Sequence, residues 1–407
     1  MESQSSKRLF KTKTFITSTC VIEPSPHALA PWRQRSDTLA DDVIATLYAE
    51  RTLDEANRAL SSLVLNDQFD TSAMPAVLQH YLFLSSRLPV WADQAAIARA
   101  QTLFASRGPL ILLSLVTCSL AECYALKKGV QVLYLTHRMD ERHVYRRIYE
   151  TAQFIIDTCF SGGLDAGGRG LRAIQKVRLM HGSIRYLILA PNPAEADATS
   201  RTFADILLAS SWDTSSLGRP INCEDQAFTL LSFGWMTMRS LERFGAPATD
   251  QECRDWLHLW AVIGHLLGIP ETLVAHTMDE GARLYAGVRA TQAGTTPQGD
   301  ELTRALGTFV AEKLDSPWLG RHLTSMLLRM LCDEQAATDV GVRPLNYDER
   351  QWLGLMRGGV RLIWRDPDSA LHHMLGRCLV TKLTTLPREW RRGLFQIPDS
   401  LITSWSR

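Results

Sequence analysis

From Leu39 onward apolar residues return at every third or fourth position, and runs of alternating β-branched residues are almost absent. That spacing predicts helix after helix and almost no strand. Helices are expected at residues 38–63, 75–88, 93–104, 109–126, 141–159, 171–189, 200–210, 222–244, 249–267, 272–292, 297–315, 318–331, 347–363 and 370–385. Several open on capping residues: Asp93 after Trp91, Asn222 after Pro220, and Thr249 with Glu252 three residues on, a capping-box pattern. Glycine and proline mark breaks at 161–170, 191–199, 218–220 and 268–270, none long enough for an interdomain linker. No fixed-period repeat points to a solenoid. The expected fold class is therefore all-α, a single large globular helical domain over residues 41–407. An N-terminal arm at 1–40 precedes it, where Ser, Thr, Lys and the proline-punctuated run from Glu23 to Trp32 replace the periodic pattern.

Composition narrows the class. Of 407 residues 45% are hydrophobic and 21% charged, which excludes disordered and collagen-like chains and leaves material for a sizeable core. Lys and Arg number 44 against 43 Asp and Glu, so no global field marks a nucleic-acid binder. The eight cysteines are scattered without a C-x-x-C pair and read as reduced core thiols. No apolar run of signal-peptide length follows the basic residues Lys7, Arg8, Lys11 and Lys13, so a cytoplasmic location is expected. The most apolar stretch, from Gly108, runs uninterrupted for about 14 residues before Glu122, short of the ~20 a membrane span needs, and is expected as a buried core helix.

Chemistry-bearing residues concentrate on two helices. In 171–189 the apolar stripe is Ile174, Val177, His181, Ile184 and Ile188, with Arg178 and Arg185 about one turn to either side of the histidine. In 141–159, Arg147 lies four residues before Thr151, along the edge of a face that carries Val144, Ile148 and Ile155. Two readings stay open here. His181 is a core histidine satisfied by a backbone carbonyl, its arginines paired to acids elsewhere; or the face is a haem pocket, with an axial imidazole in apolar surroundings and Arg or hydroxyl partners for the propionates. The glycine cluster Gly162, Gly163, Gly167, Gly168 and Gly170 lacks the preceding strand and the Gly-Lys-Ser/Thr ending of a phosphate loop, and reads as a plain flexible connection. His258 and His265 share a helix face but sit among Trp256, Trp260, Ile263 and Leu267, which suits ordinary packing; the adjacent His372 and His373 face different directions. Glu224 and Asp225 open a helix, where acids complement the dipole.

The stretch from Arg147 to Thr151 (RIYET), followed by Val177 to Arg185 (VRLMHGSIR), resembles the R-x-x-x-T … VR-x-x-H-x-x-x-R signature of a family of haem b oxygenases. That family includes the rubber oxygenase called latex clearing protein and the fungal oxygenase that cleaves the prenyl chain in mycophenolic acid synthesis. Four further blocks are similar, in the family's order: Leu88 to Asp93 (LPVWAD), Tyr124 to Arg138 (YALKKGVQVLYLTHR), Pro220 to Phe233 (PINCEDQAFTLLSF) and Trp260 to Glu271 (WAVIGHLLGIPE). The resemblance is strongest over residues 88–344.

What the resemblance implies is one haem b, with iron ligated by His181, Arg147 and Thr151 lining its pocket, and Arg178 and Arg185 as candidate propionate partners. The expected function is dioxygen activation at a His-ligated iron, acting on a small apolar or natural-product-like metabolite. Glu150, Thr151 and Arg147 are the candidate catalytic residues. Where rubber oxygenases carry a lysine able to bind the distal side of the iron, this chain has Glu150; near the rubber-type catalytic glutamate it has Gln131, and in place of a family glycine His137. These departures, with no export signal, argue against an extracellular polymer. They leave open other haem chemistry (dehydration, rearrangement, peroxidase-like oxidation) and a non-catalytic haem- or lipid-binding helical protein. The expected partners are a small-molecule substrate and dioxygen, with no nucleic acid and no transmembrane segment; the sequence is silent on oligomeric state.

Overall fold

The computed structural model describes residues 23–52, 55–56, 58–60, 74–137, 141–190, 207–208, 210–313, 317–364 and 374. The expected helices at 200–210 and 370–385 lie wholly or almost wholly outside these, as do His372 and His373. Among the described residues the chain is all-α; the exception to helix and loop is an isolated bridge between Leu126 and Ala293.

The principal helices are α1 (Thr38–Glu50), α2 (Ala76–Leu84), α3 (Gln94–Tyr124), α4 (Val130–His137), α5 (Glu141–Cys159), α6 (Arg169–Leu189) and α7 (Cys223–Phe233). They are followed by α8 (Trp235–Phe244), α9 (Asp250–Leu266), α10 (Met278–Gln292), α11 (Pro297–Lys313), α12 (Pro317–Leu331), α13 (Glu334–Asp339) and α14 (Tyr347–Trp364). The Asp93, Asn222 and Thr249 caps form as expected, the last with both halves of its capping box. One large core runs through α3, α5 to α10 and α12, with Trp256 and Trp260 fully buried near its middle.

Several boundaries differ from those the periodicity predicts. The expected break between 104 and 109 does not occur: α3 continues through Pro109 and through a π-helical turn, Leu115–Ser119. The proline forfeits one backbone hydrogen bond, but the helix is so deeply buried that ending it would expose a longer apolar stretch. At 31 residues α3 is long and apolar enough to cross a membrane, unlike the shorter run expected from sequence, yet 67% of its most apolar window is buried inside the fold. The expected helix 222–244 is two, turning at Gly234 where the backbone passes close to Trp260. Short α4 and α13 are not prefigured by the periodicity at all.

Residues 23–40, grouped with the N-terminal arm, are built into the domain. A helical turn, Pro26–Leu29, leads into a 3-10 turn, Ala30–Gln34; Leu29 is fully buried and the Arg33 guanidinium bridges to Asp225 at 2.9 Å. Pro24 lies directly against Gly287 of α10.

The glycine-rich connection between α5 and α6 is tight, not slack. A Cβ at Gly163 would sit 2.1 Å from the Asp157 carbonyl oxygen, and one at Gly170 2.5 Å from the same atom. Only glycine allows backbone to pass backbone this closely, and the loop is locked by the Leu171 amide donating to the Gly163 carbonyl at 2.9 Å. The two helices carrying the candidate chemistry are thereby held against each other.

Candidate functional site

Helices α5 and α6 pack side by side. The α6 stripe buries Ile174, Ile184 and Ile188 against the core while His181 rides on it, partly accessible as a residue, with its Nδ1 fully enclosed and without a hydrogen-bond partner. Burial lowers the imidazole pKa from 6.5 to about 3, and the positive charges of Arg185 and Arg147 push the same way. The ring is therefore neutral at any physiological pH, with a lone pair to offer a metal.

Arg147 reaches inward from α5 and donates from Nη1 to the Leu133 carbonyl at 3.2 Å, tying α5 to α4. Its guanidinium pKa is lowered by burial, with Tyr124 and Glu150 opposing. Burial raises the Tyr124 phenol to about 12 and the Arg147 charge draws it back down. Tyr124 thus joins the site, although the sequence reading placed it only in a similarity block. Thr151 is half-buried one turn beyond Arg147. Glu150 is exposed, outside the face that buries Ile148 and Ala152, so its carboxylate is turned to solvent. Gln131 spends its side-chain amide on the Lys127 carbonyl at 3.0 Å. The side chain of His137 lies outside the described ones.

The two arginines beside His181 differ. Arg178 donates to both oxygens of Asp37, Nη2 to Oδ1 at 2.7 Å, and through Nη1 to the Leu266 carbonyl at 3.1 Å. It is engaged on every nitrogen, in an ion pair with Asp37 and a bond to the α9 backbone. Arg185, 1% exposed, donates from Nε to Asp41 at 2.7 Å and from Nη1 to the Ile221 carbonyl at 3.2 Å, while its buried Nη2 has no partner. Of the two open readings, the arginines follow the first in pairing with acids, yet His181 lacks the carbonyl that reading requires at Nδ1. Sequence reasoning missed Asp37 and Asp41 because they lie more than 140 residues from their partners, in and just beyond the presumed arm.

Other candidates resolve into structure. Glu224 and Asp225 do more than complement a helix dipole: Gln292 donates to Glu224 at 2.6 Å, and Arg33 pairs with Asp225. His258 and His265 both lie edge-on to the Trp91 indole, joined there by His276, and His258 Nε2 accepts from the Asp93 amide at 2.8 Å. Cys118, Glu122 and Cys332 bring potential ligand atoms within 4.8 Å of one another. Both Glu122 oxygens are already taken, by the Asp333 amide at 2.7 Å and the Tyr285 hydroxyl at 2.9 Å, with the Arg289 cation beside them, an arrangement that repels a metal ion. The six described cysteines are free thiols. Between α7, α8 and α9 lies a small apolar cavity of about 10 Å3, lined by Leu230, Trp235, Leu257 and Trp260 among others, with room for one water-sized guest.

A family model described as the ER-bound oxygenase mpaB/B'/rubber oxygenase catalytic domain matches residues 114–362, which include every residue of this site except Asp37 and Asp41. A rubber oxygenase from Streptomyces sp. (strain K30) is 26% identical over 290 residues, covering 68% of this chain and 63% of the relative's own length. The structure of latex clearing protein in the closed state superposes with a TM-score of 0.70 over 90% of this chain and 95% of that one, at 22% identity, so the fold is shared. With the matched region exceeding half its length, this chain belongs to the mpaB/B'/rubber oxygenase catalytic-domain family.

Proposed function

We propose that this protein is a haem b-dependent oxygenase acting on a small apolar or natural-product-like metabolite. The observation that carries the reading is His181: a neutral imidazole, its Nδ1 buried without a partner, on the flank of a helix that also presents an uncommitted Arg185 Nη2. Because Nδ1 is closed off by protein, Nε2 is the nitrogen that the partly accessible ring has left to offer an iron. The donor set suits haem: His181 for the iron, and Arg185, Arg147 and Thr151 for the anionic edge and the pocket wall. When bound, haem supplies a redox-active iron for dioxygen chemistry. The chain's own residues orient it, keep water from the apolar side, and hold His181 in its neutral form.

Family membership supports oxygenation. The exposed Glu150 and the amide at Gln131 favour, as a second reading, haem chemistry without oxygen insertion. Isotope-labelled dioxygen separates the two, since a product without label excludes the first. For the cofactor itself, the test is the absorption spectrum of the purified protein, oxidised, reduced and with carbon monoxide, for wild type and H181A. A stoichiometric Soret band that shifts with carbon monoxide and collapses in H181A is expected; a colourless wild type that does not take up haemin, or an H181A spectrum identical to wild type, overturns the assignment.

A further inference from the structure

The N-terminal segment meets α6 along one flank of His181, and we infer that Asp37 and Asp41 are positioning residues for that histidine, an inference resting on its reading as iron ligand. At about 100° per residue, and with His181 at zero, Arg185 and Arg178 stand near 40° and 60°, Gly182 near 100°, Tyr186 near 140° and Ser183 near 200°. Each of these five touches α1 or its cap. Asp37 and Asp41 take the two arginines. Gly182 admits Ala40 and Ile44 so closely that a Cβ there would lie 3.1 Å from Ile44 Cγ1. Ser183 shares a hydrogen bond of 2.8 Å with Tyr48, whose ring stacks on Tyr186 at 4.8 Å. His181 and the stripe Ile174, Val177, Ile184 and Ile188 occupy the opposite sector. The arginines lie on the seam between the two.

That seam is where rotation of α6 about its own axis is resisted. A turn of about 10° moves an atom ~6 Å from the axis by about 1 Å, a misplacement able to cost ~100-fold in a positioned reaction. Close packing along the stripe and at Gly182 opposes large turns, and within that packing the directional ion pairs set the final orientation. The ion pairs are directional and bracket His181 at positions −3 and +4. Asp37 is anchored itself, since it also caps α1 through the Ala40 amide. Asp41 is held by Ser36 at 2.7 Å and by Arg219 at 3.5 Å. Gly268, at φ +79°, leaves the space that the Asp37–Arg178 pair fills. Asp41 has a second effect: by taking Arg185 Nε it leaves Nη2 as the donor without a partner.

The test uses the full chain loaded by haemin titration, comparing wild type, H181A, D37N, D41N, D41E and Y48F. Readouts are the haemin dissociation constant, the iron–histidine stretching band of the ferrous protein, and the thermal midpoint. Groups that hydrogen-bond a metal ligand directly contribute about 10–100-fold in affinity; Asp37 and Asp41 act one residue further out, through the arginines, so D37N and D41N are expected to weaken haemin by about threefold or more and to shift or broaden the stretching band, with partial rescue in D41E. Y48F removes a hydrogen bond to Ser183 on the side of α6 turned away from His181, leaves both ion pairs intact, and should lower the thermal midpoint while leaving the band in place. Asp41 is partly exposed, so D41N carries the test if D37N does not fold. Asparagine variants that melt earlier yet keep wild-type affinity and an unshifted band make the segment a structural strap only and overturn the inference. Loss of haem in H181A alongside unaffected Asp variants leaves the proposed function standing and removes this inference; a wild type without haem removes both.

Discussion

The connection between α5 and α6 offers a comparison in which one loop holds two glycines for different reasons. Replacing Gly163 by alanine would place a carbon 2.1 Å from the Asp157 carbonyl oxygen, 2.9 Å from that of Phe160 and 3.2 Å from that of Thr158. Even close C–H···O contacts keep carbon and oxygen about 3.3–3.6 Å apart, so the backbone must yield by roughly 1.2 Å. All three obstacles are backbone atoms at the end of α5, unable to swing aside as a side-chain tip would. Overpacking ordinarily costs about 1–3 kcal/mol, and this case belongs at or above the top of that range. Gly167, four residues on, has φ +75° but open space, its nearest neighbour being the Arg172 side chain at 3.7 Å. Alanine there meets the left-handed backbone penalty alone, about 1–2 kcal/mol. G163A should therefore be the less stable by about 2 kcal/mol, which at a urea dependence of ~3 kcal/mol/M or more for a domain of this size separates the midpoints by up to about 0.7 M. Urea unfolding followed by far-ultraviolet circular dichroism measures this directly. Equal midpoints, or G167A unfolding first, would refute close backbone passage as what holds these helices together.

Three further outcomes are open to measurement. The Arg343 guanidinium, the Asn346 amide and His322 hold the Glu349 carboxyl at about 2, below its ordinary 4.5; the stability it contributes is present above 4.5 and lost as pH falls toward 2, so E349Q should flatten the thermal midpoint over that window, and an unchanged acid profile would remove the pair as a contributor. T249A removes one half of a formed capping box and should cost about 1 kcal/mol in chemical denaturation, less than a few tenths being incompatible with that role. At Gly234 a Cβ would meet Trp260 and Leu257 at ordinary distances beside the small cavity, so G234A should leave stability unchanged or raise it by up to about 1 kcal/mol; a clear loss would show that the turn between α7 and α8 needs glycine.

The all-α class was legible because burial against a core imposes a 3.6-residue period on every helix, and that period is written locally. Caps such as Asn222 and Thr249 were legible for the same reason, since a side chain that bonds a backbone amide three residues away needs only nearby sequence. His181 could be picked out because a histidine in an apolar stripe breaks the pattern, and Arg147 and Thr151 because they recur in a familiar order. Helix ends followed less well. Whether α3 stops at Pro109 depends on how much apolar surface the neighbours cover, which no local window contains.

Local sequence is therefore enough for most of the helices, though not α4 or α13, for most of their faces, and for a short roster of side chains with the right chemistry. Tertiary structure alone decided which of those side chains are available. Arg178 and Arg185 are equivalent on a helical wheel, yet Asp37 together with the Leu266 carbonyl engages the first on every nitrogen, whereas Asp41 and Ile221 leave the second one donor. Likewise the segment before α1 reads as an arm until Leu29 is buried and Arg33 and Asp37 find partners far along the chain. An ion pair depends on distance in space, and a residue's sequence neighbours carry no record of which distant charge will come to rest beside it.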